Sequence, residues 1–86
     1  MSLRVIRFTS TWCAPCRAVG PILEELAHQY SGEGTFMTVD IDKNRELASQ
    51  KGVSSVPTVI VEKNGVEVAR IVGAKPKSVY ENAIKS

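Results

Sequence analysis

The chain's two cysteines, Cys13 and Cys16, are three positions apart in Trp12-Cys13-Ala14-Pro15-Cys16-Arg17. Two thiols at this spacing, where a strand hands over to a helix, can close and reopen a small disulfide ring without disturbing the surrounding fold. Unpaired backbone N–H groups and the positive end of the helix dipole favour a thiolate at the helix start. Cys13 stands nearest that end. Cys16 lies one turn further in on the same side, within reach of the Cys13 sulfur and better shielded. The pair is therefore inequivalent: Cys13 is expected to attack a substrate disulfide, and Cys16 to resolve the mixed disulfide that results. Pro15 fits the first helical turn, where its missing N–H costs nothing and its fixed φ stiffens the ring.

Other uses of a C-x-x-C pair fit less well. A structural zinc ion needs four ligands, and beyond the cysteines the chain offers only His28 as a further soft ligand. Covalent haem attachment requires His directly after the second cysteine, where Arg17 stands. A purely structural disulfide closing so small a ring constrains little of the unfolded chain. No metal site is expected. His28 lies about 22 Å along the helix from Cys13 at about 1.5 Å per residue, too far to serve as its base.

The elements that must position the dithiol can be read from the periodicities. Leu3 to Thr9, with Val5, Ile6 and Phe8, reads as a strand that delivers the cysteines. From Cys13 to about Tyr30, Val19, Ile22, Leu23, Leu26, Ala27 and Tyr30 define one face of an amphipathic helix. Pro21 removes the bond to the Arg17 carbonyl and is expected to kink that helix without ending it. Thr35 to Ile41 reads as a second strand, and Arg45 to Lys51 as a short helix closed by Gly52. Asp40 and Asp42 suggest metal ligands at first sight. Capping is the preferred reading, with Asp42 and Asn44 at the start of the short helix. Thr58 to Glu62 and Val66 to Val72 form a hairpin through Asn64-Gly65, and Lys77 to Lys85 is a final helix. The Val56-Pro57 bond that precedes the third strand is a candidate for the cis form. The order βαβαββα implies an α/β fold, with a mixed four-stranded sheet and helices on both faces.

Length and composition set the remaining bounds. Eighty-six residues suit one domain with a single core, so residues 1–86 are expected to form one unit. A hydrophobic fraction of 43% is ordinary for a soluble chain, and no run approaches a membrane span. The opening Met1-Ser2-Leu3-Arg4 lacks the pattern of a secretory signal, which gives a cytoplasmic expectation. Adjacent cysteines in such a chain read as redox chemistry. A net charge of +2, from scattered lysines and arginines, gives no reason to expect nucleic acid as a partner.

Taken together, these motifs resemble the thioredoxin family. Trp12-Cys13-Ala14-Pro15-Cys16 stands where the family has W-C-G-P-C, followed by Pro21-Ile22-Leu23-Glu24-Glu25-Leu26, Val39-Asp40-Ile41-Asp42, Val56-Pro57-Thr58, Lys63-Asn64-Gly65 and Val72-Gly73-Ala74, in family order over nearly the whole chain. The resemblance implies the thioredoxin fold, with Pro57 cis and packed beside the dithiol. It further implies that the Val56 backbone bonds an extended substrate segment, and that Trp12, Gly73 and Ala74 form an apolar rim. The activity it implies is reduction of protein disulfides by a monomer without a bound cofactor, recharged by an electron donor of the thioredoxin-reductase type. A glutathione-dependent, glutaredoxin-like reductant and a non-catalytic binding module are the alternatives.

The chain departs from the family pattern in several places. The family's opening strand and helix have no counterpart, Ala14 replaces a glycine inside the ring, and Arg7 and Thr38 stand where the family has a buried aspartate and its lysine partner. Residues inside the ring alter the balance between dithiol and disulfide. Arg7 stays protonated and cannot act as a base. It either lends its charge to a thiolate or runs to solvent along its stem. Arg17 has the same two readings, as a modulator of the dithiol that also meets acidic partners or as a solvated surface residue.

Overall fold

The computed structural model describes residues 2–86. Strand β1 (Leu3–Thr9) leads into helix α1 (Ala14–Gln29), strand β2 (Gly34–Asp40), helix α2 (Arg45–Gln50), the hairpin β3 (Thr58–Lys63) and β4 (Val66–Val72), and helix α3 (Lys77–Lys85). Every expected element is present, with boundaries moved by at most one residue. Tyr30, Lys51 and Cys13 serve as helix caps rather than helical residues. Helix α1 runs unbroken through Pro21, which faces solvent.

The sheet has the order β2-β1-β3-β4. Strand β1 pairs parallel with β2 and antiparallel with β3, and β3 pairs antiparallel with β4. A parallel β1–β2 pair requires a crossover, and α1 supplies it. The β3–β4 connection needs only two residues: Asn64 at φ 55° and Gly65 at φ 81° take the left-handed conformations that a tight hairpin turn demands.

Alternation along β1 sends its side chains to opposite faces of the sheet, so the single core expected from length is divided into two clusters. Leu3 and Val5 meet Val19, Leu23 and Leu26 of α1, Val59 and Val61 of β3, and Tyr80 and Ile84 of α3. Ile6 and Phe8 meet Val39, Ile60 and Ala48 of α2 on the opposite face. Val59, Ile60 and Val61 of β3 are likewise buried on alternating faces, which explains that strand's unbroken apolar run.

Among the described residues, one charged side chain is buried. Glu62 is 5% exposed and accepts from Lys51 Nζ at 2.7 Å and from Arg4 Nε at 3.1 Å. The Lys51 hydrogen bond, helped by Arg4 and opposed by burial, holds the Glu62 carboxyl below its ordinary value. A depressed carboxylate pKa stabilises the fold above the unfolded-state value, and that stabilisation is lost as pH falls through the folded-state value. Replacing Glu62 with Gln is expected to cost about 1–2 kcal/mol at neutral pH. In urea melts the deficit should shrink on acidification below the ordinary glutamate range; a deficit that is constant down to acid pH would exclude the ionic contribution.

Candidate active site

Cys13 occupies the N-cap of α1 with extended backbone angles, φ −94° and ψ 105°. At this position its side chain faces the unpaired donors of the first turn. Its Sγ accepts the Cys16 backbone N–H at 3.3 Å. A sulfur held this way faces a backbone donor and the positive end of the helix dipole. Cys13 and Cys16 are disulfide-bonded, with Cα atoms 5.4 Å apart. They are similarly buried, at 5% and 3% exposure, so the difference between them comes from helix position and hydrogen bonding more than from shielding. Pro15 falls in the first turn, as its missing donor allows, and both Ala14 and Pro15 are exposed.

The sheet register gathers the other segments at this end. Phe8 is level with Thr58, and Thr58 with Val72, so the end of β1, the start of β3 and the end of β4 coincide. Val56-Pro57 is cis, Pro57 is buried and Val56 half-buried. The Gly73 N–H donates to the Pro57 carbonyl at 2.8 Å, joining the two loops. Gly73 has φ +91°, which disfavours a side chain there. The Tyr80 hydroxyl donates to the Gly73 carbonyl and accepts the Lys75 N–H, which ties this loop to α3. Ala74 beside it is exposed. Strand β2, parallel to β1, brings Asp40 level with Thr9 and places Asp42 at the same end.

Asp42 is a residue whose role sequence reasoning missed. The expected cap of α2 by Asp42 and Asn44 does not form: Asn44 is the N-cap by position but makes no side-chain capping bond, and its Nδ2 donates instead to the Asp40 carbonyl. Asp42 Oδ2 accepts the indole Nε1–H of Trp12 at 2.9 Å, across 30 positions of sequence. Trp12 remains 67% exposed, so this bond holds a large apolar surface out in solvent beside the disulfide. No local signal could have found it, because the two residues are 30 positions apart and Asp42 has the look of a cap.

Arg7 is half-buried. As an odd-numbered residue of β1 it faces α1, where its Nη2 donates to Thr38 Oγ1 at 3.2 Å and its guanidinium lies against Gly20. A Cβ at Gly20 would come within 3.2 Å of Arg7 Nη1, so this glycine leaves room in mid-helix for the arginine. Arg7, Cys16 and the exposed Arg17 line one open cavity.

Comparison with known proteins matches this geometry. The thioredoxin family model matches residues 1–86. The chain belongs to the thioredoxin family. It is 40% identical over 80 residues to thioredoxin 1 of Synechococcus elongatus, which covers 93% of this chain and 75% of that protein. A solved thioredoxin from Nicotiana alata superposes with a TM-score of 0.89 at 36% identity, covering 96% of this chain and 70% of that one. A further match has a TM-score of 0.90 at 31% identity, covering 98% and 77% of the two chains. It comes from a structure describing thiol resolution in yeast mitochondrial 1-Cys peroxiredoxin through the glutathione and thioredoxin systems. Thioredoxins are disulfide oxidoreductases, and this chain, with its Cys13–Cys16 pair, is a thiol-disulfide oxidoreductase.

As the chain's single tryptophan, Trp12 provides an intrinsic probe of this thioredoxin site. Asp42→Ala is expected to cost only about 0.5–1 kcal/mol of stability, since the bond is exposed. It should nevertheless lower the indole's fluorescence anisotropy, while Asp42→Asn, which keeps an acceptor, should lower it less. Equal anisotropy in all three proteins would show that the bond does not restrain Trp12.

Proposed function

We propose that this thioredoxin reduces protein disulfides, with Cys13 as nucleophile and Cys16 as resolving thiol. The observation that carries the assignment is the Cys16 N–H donated to Cys13 Sγ at the start of α1. In the reduced protein the Cys13 thiolate attacks one sulfur of a substrate disulfide. The substrate's S–S bond breaks, one substrate thiolate leaves, and a mixed disulfide forms at Cys13. Cys16, deprotonated, then attacks Cys13 Sγ and expels the second substrate thiolate. The two substrate thiolates take up two protons, and two electrons have passed from the dithiol to the substrate. A dithiol donor of the thioredoxin-reductase type restores Cys13 and Cys16.

Substrate is held, in this reading, along Val56-Pro57 through the free backbone groups of Val56, with Trp12, Gly73 and Ala74 supplying an apolar rim. The loop-to-loop bond from Gly73 to Pro57 and the Trp12–Asp42 bond support it by fixing both sides of such a groove. Ala14, Pro15, Arg17 and Arg7 adjust the stability of the ring and of the thiolates rather than contacting the reacting substrate sulfur. The chemistry needs no bound cofactor or metal. The 86 residues act as one domain and as a monomer in the cytoplasm, without nucleic acid or membrane as partners. No helix among the described residues is long and apolar enough to cross a membrane.

Reduction of insulin by dithiothreitol tests the assignment. Cys13→Ser should bring the rate down to the uncatalysed background. Cys16→Ser should accumulate a mixed disulfide visible by mass spectrometry, because nothing resolves it. Trapping at position 16 in the Cys13→Ser protein, and none in Cys16→Ser, would reverse the two roles. Full turnover with glutathione as sole reductant would replace the reductase-type donor with a glutaredoxin-like cycle. The equilibrium potential of the pair should lie nearer the roughly −270 mV of a reducing thioredoxin than the roughly −120 mV of a strong oxidant. The latter value would reverse the direction of electron flow.

A further inference from the structure

An open cavity of about 270 Å³ beside the disulfide is walled by Arg7, Ser10, Thr11, Cys16, Arg17 and Asp40. The disulfide chemistry described above uses Cys16 directly and gives Arg7 and Arg17 only an electrostatic part, which leaves Ser10, Thr11 and Asp40 without a role. Two guanidinium groups border it, and among the described residues neither forms an ion pair. Arg7 is steadied by Thr38 and by the notch at Gly20, which leaves donors of its fork without protein acceptors. Ser10 is 94% buried (6% exposed), and its Oγ has no hydrogen-bond partner among the described residues. That hydroxyl is sealed from solvent, so it is not among the donors the cavity presents.

The donor set points to the ligand's chemistry. Guanidinium forks match the paired acceptor oxygens of a planar oxyanion. Asp40, whose Oδ1 accepts the Asp42 N–H at 2.9 Å, sets one negative charge against the two positive ones. That balance suits a singly charged carboxylate better than a doubly charged phosphate. Cys16, disulfide-bonded to Cys13, forms part of the wall, so a group bound here lies on the Cys16 side of the reacting pair.

We propose that this cavity is a carboxylate subsite, which holds an acidic group carried by the disulfide substrate on the Cys16 side of the reacting pair. The proposal rests on the Cys13–Cys16 exchange described above and adds a preference among its substrates. The carboxylate comes either from an aspartate or glutamate side chain of a polypeptide or from a small carboxylated disulfide.

The test compares kcat/KM with dithiothreitol, an uncharged reductant, at low ionic strength. One set of substrates is a peptide disulfide with Glu, Gln or Lys beside the half-cystine. The other is bis(carboxymethyl) disulfide against bis(2-hydroxyethyl) disulfide, each corrected for its uncatalysed rate. The unmodified protein should prefer the acidic member of at least one set by about tenfold, the scale of one charge-assisted contact. Arg7→Met and Arg17→Met should each cut that ratio severalfold, and Arg7→Lys should retain part of it. Arg17 is exposed, so its variant tests the proposal even if Arg7→Met fails to fold. A preference confined to peptides assigns the carboxylate to protein side chains, and one confined to the small pair assigns it to small disulfides. Both outcomes support the subsite. Turnover with no acidic preference, or with a preference untouched by either arginine variant, overturns it. Absence of turnover with every disulfide would instead overturn the exchange chemistry on which the subsite rests.

Discussion

Strand β1 is hydrogen-bonded along both edges, parallel to β2 and antiparallel to β3, and the geometry of the site follows from that double pairing. Once Phe8 is level with Val39 on one side and Thr58 on the other, the chain must deliver three segments to the same end of the sheet. These are the Cys13 turn, the Asp40–Asp42 segment and the cis-proline loop. A slip of one residue in either register would exchange the α1 and α2 faces of β1 and exile Phe8 from its core. Two apolar faces on one strand make such a slip expensive, so the hydrophobic core also aligns the chemistry.

Helix α1 positions both cysteines. It begins where β1 ends, and its first turn offers backbone donors that the helix itself cannot satisfy. One of them is spent on Cys13 Sγ. The same helix carries Cys16 inward to a cavity bordered by Arg7 and Arg17. The two sulfurs, alike in burial, therefore experience different surroundings: one faces backbone dipoles, the other side-chain charge.

Much of the architecture was legible in the residues themselves. The Asn64-Gly65 turn, the apolar stripe from Val19 to Leu26 and the strand signals of Leu3–Thr9 each rest on local periodicity or turn chemistry. All the elements appear where those signals put them. The C-x-x-C pair likewise announced its own chemistry. The long-range polar contacts were not legible. Asp42 has the composition and position of a helix cap, and only the tertiary fold brings Trp12 within reach to claim its carboxylate. Arg7 lay between two readings because its charge argues for solvent. Yet its place in the Leu3, Val5, Arg7 alternation already assigned it to the α1 face, where Gly20 leaves it room. Glu62 offered no local hint of burial, since its partners Lys51 and Arg4 come from other elements.

The fit of Arg7 against Gly20 also bears on how this sequence can change over time. Alanine at position 20 would normally improve a helix, and here its methyl would lie 3.2 Å from the tip of the Arg7 side chain, which would have to give by a few tenths of an ångström. The two positions are energetically coupled in the manner of touching residues generally. With Arg7 in place, a methyl at position 20 is accommodated by a small shift of the guanidinium; with Arg7 shortened, it needs none.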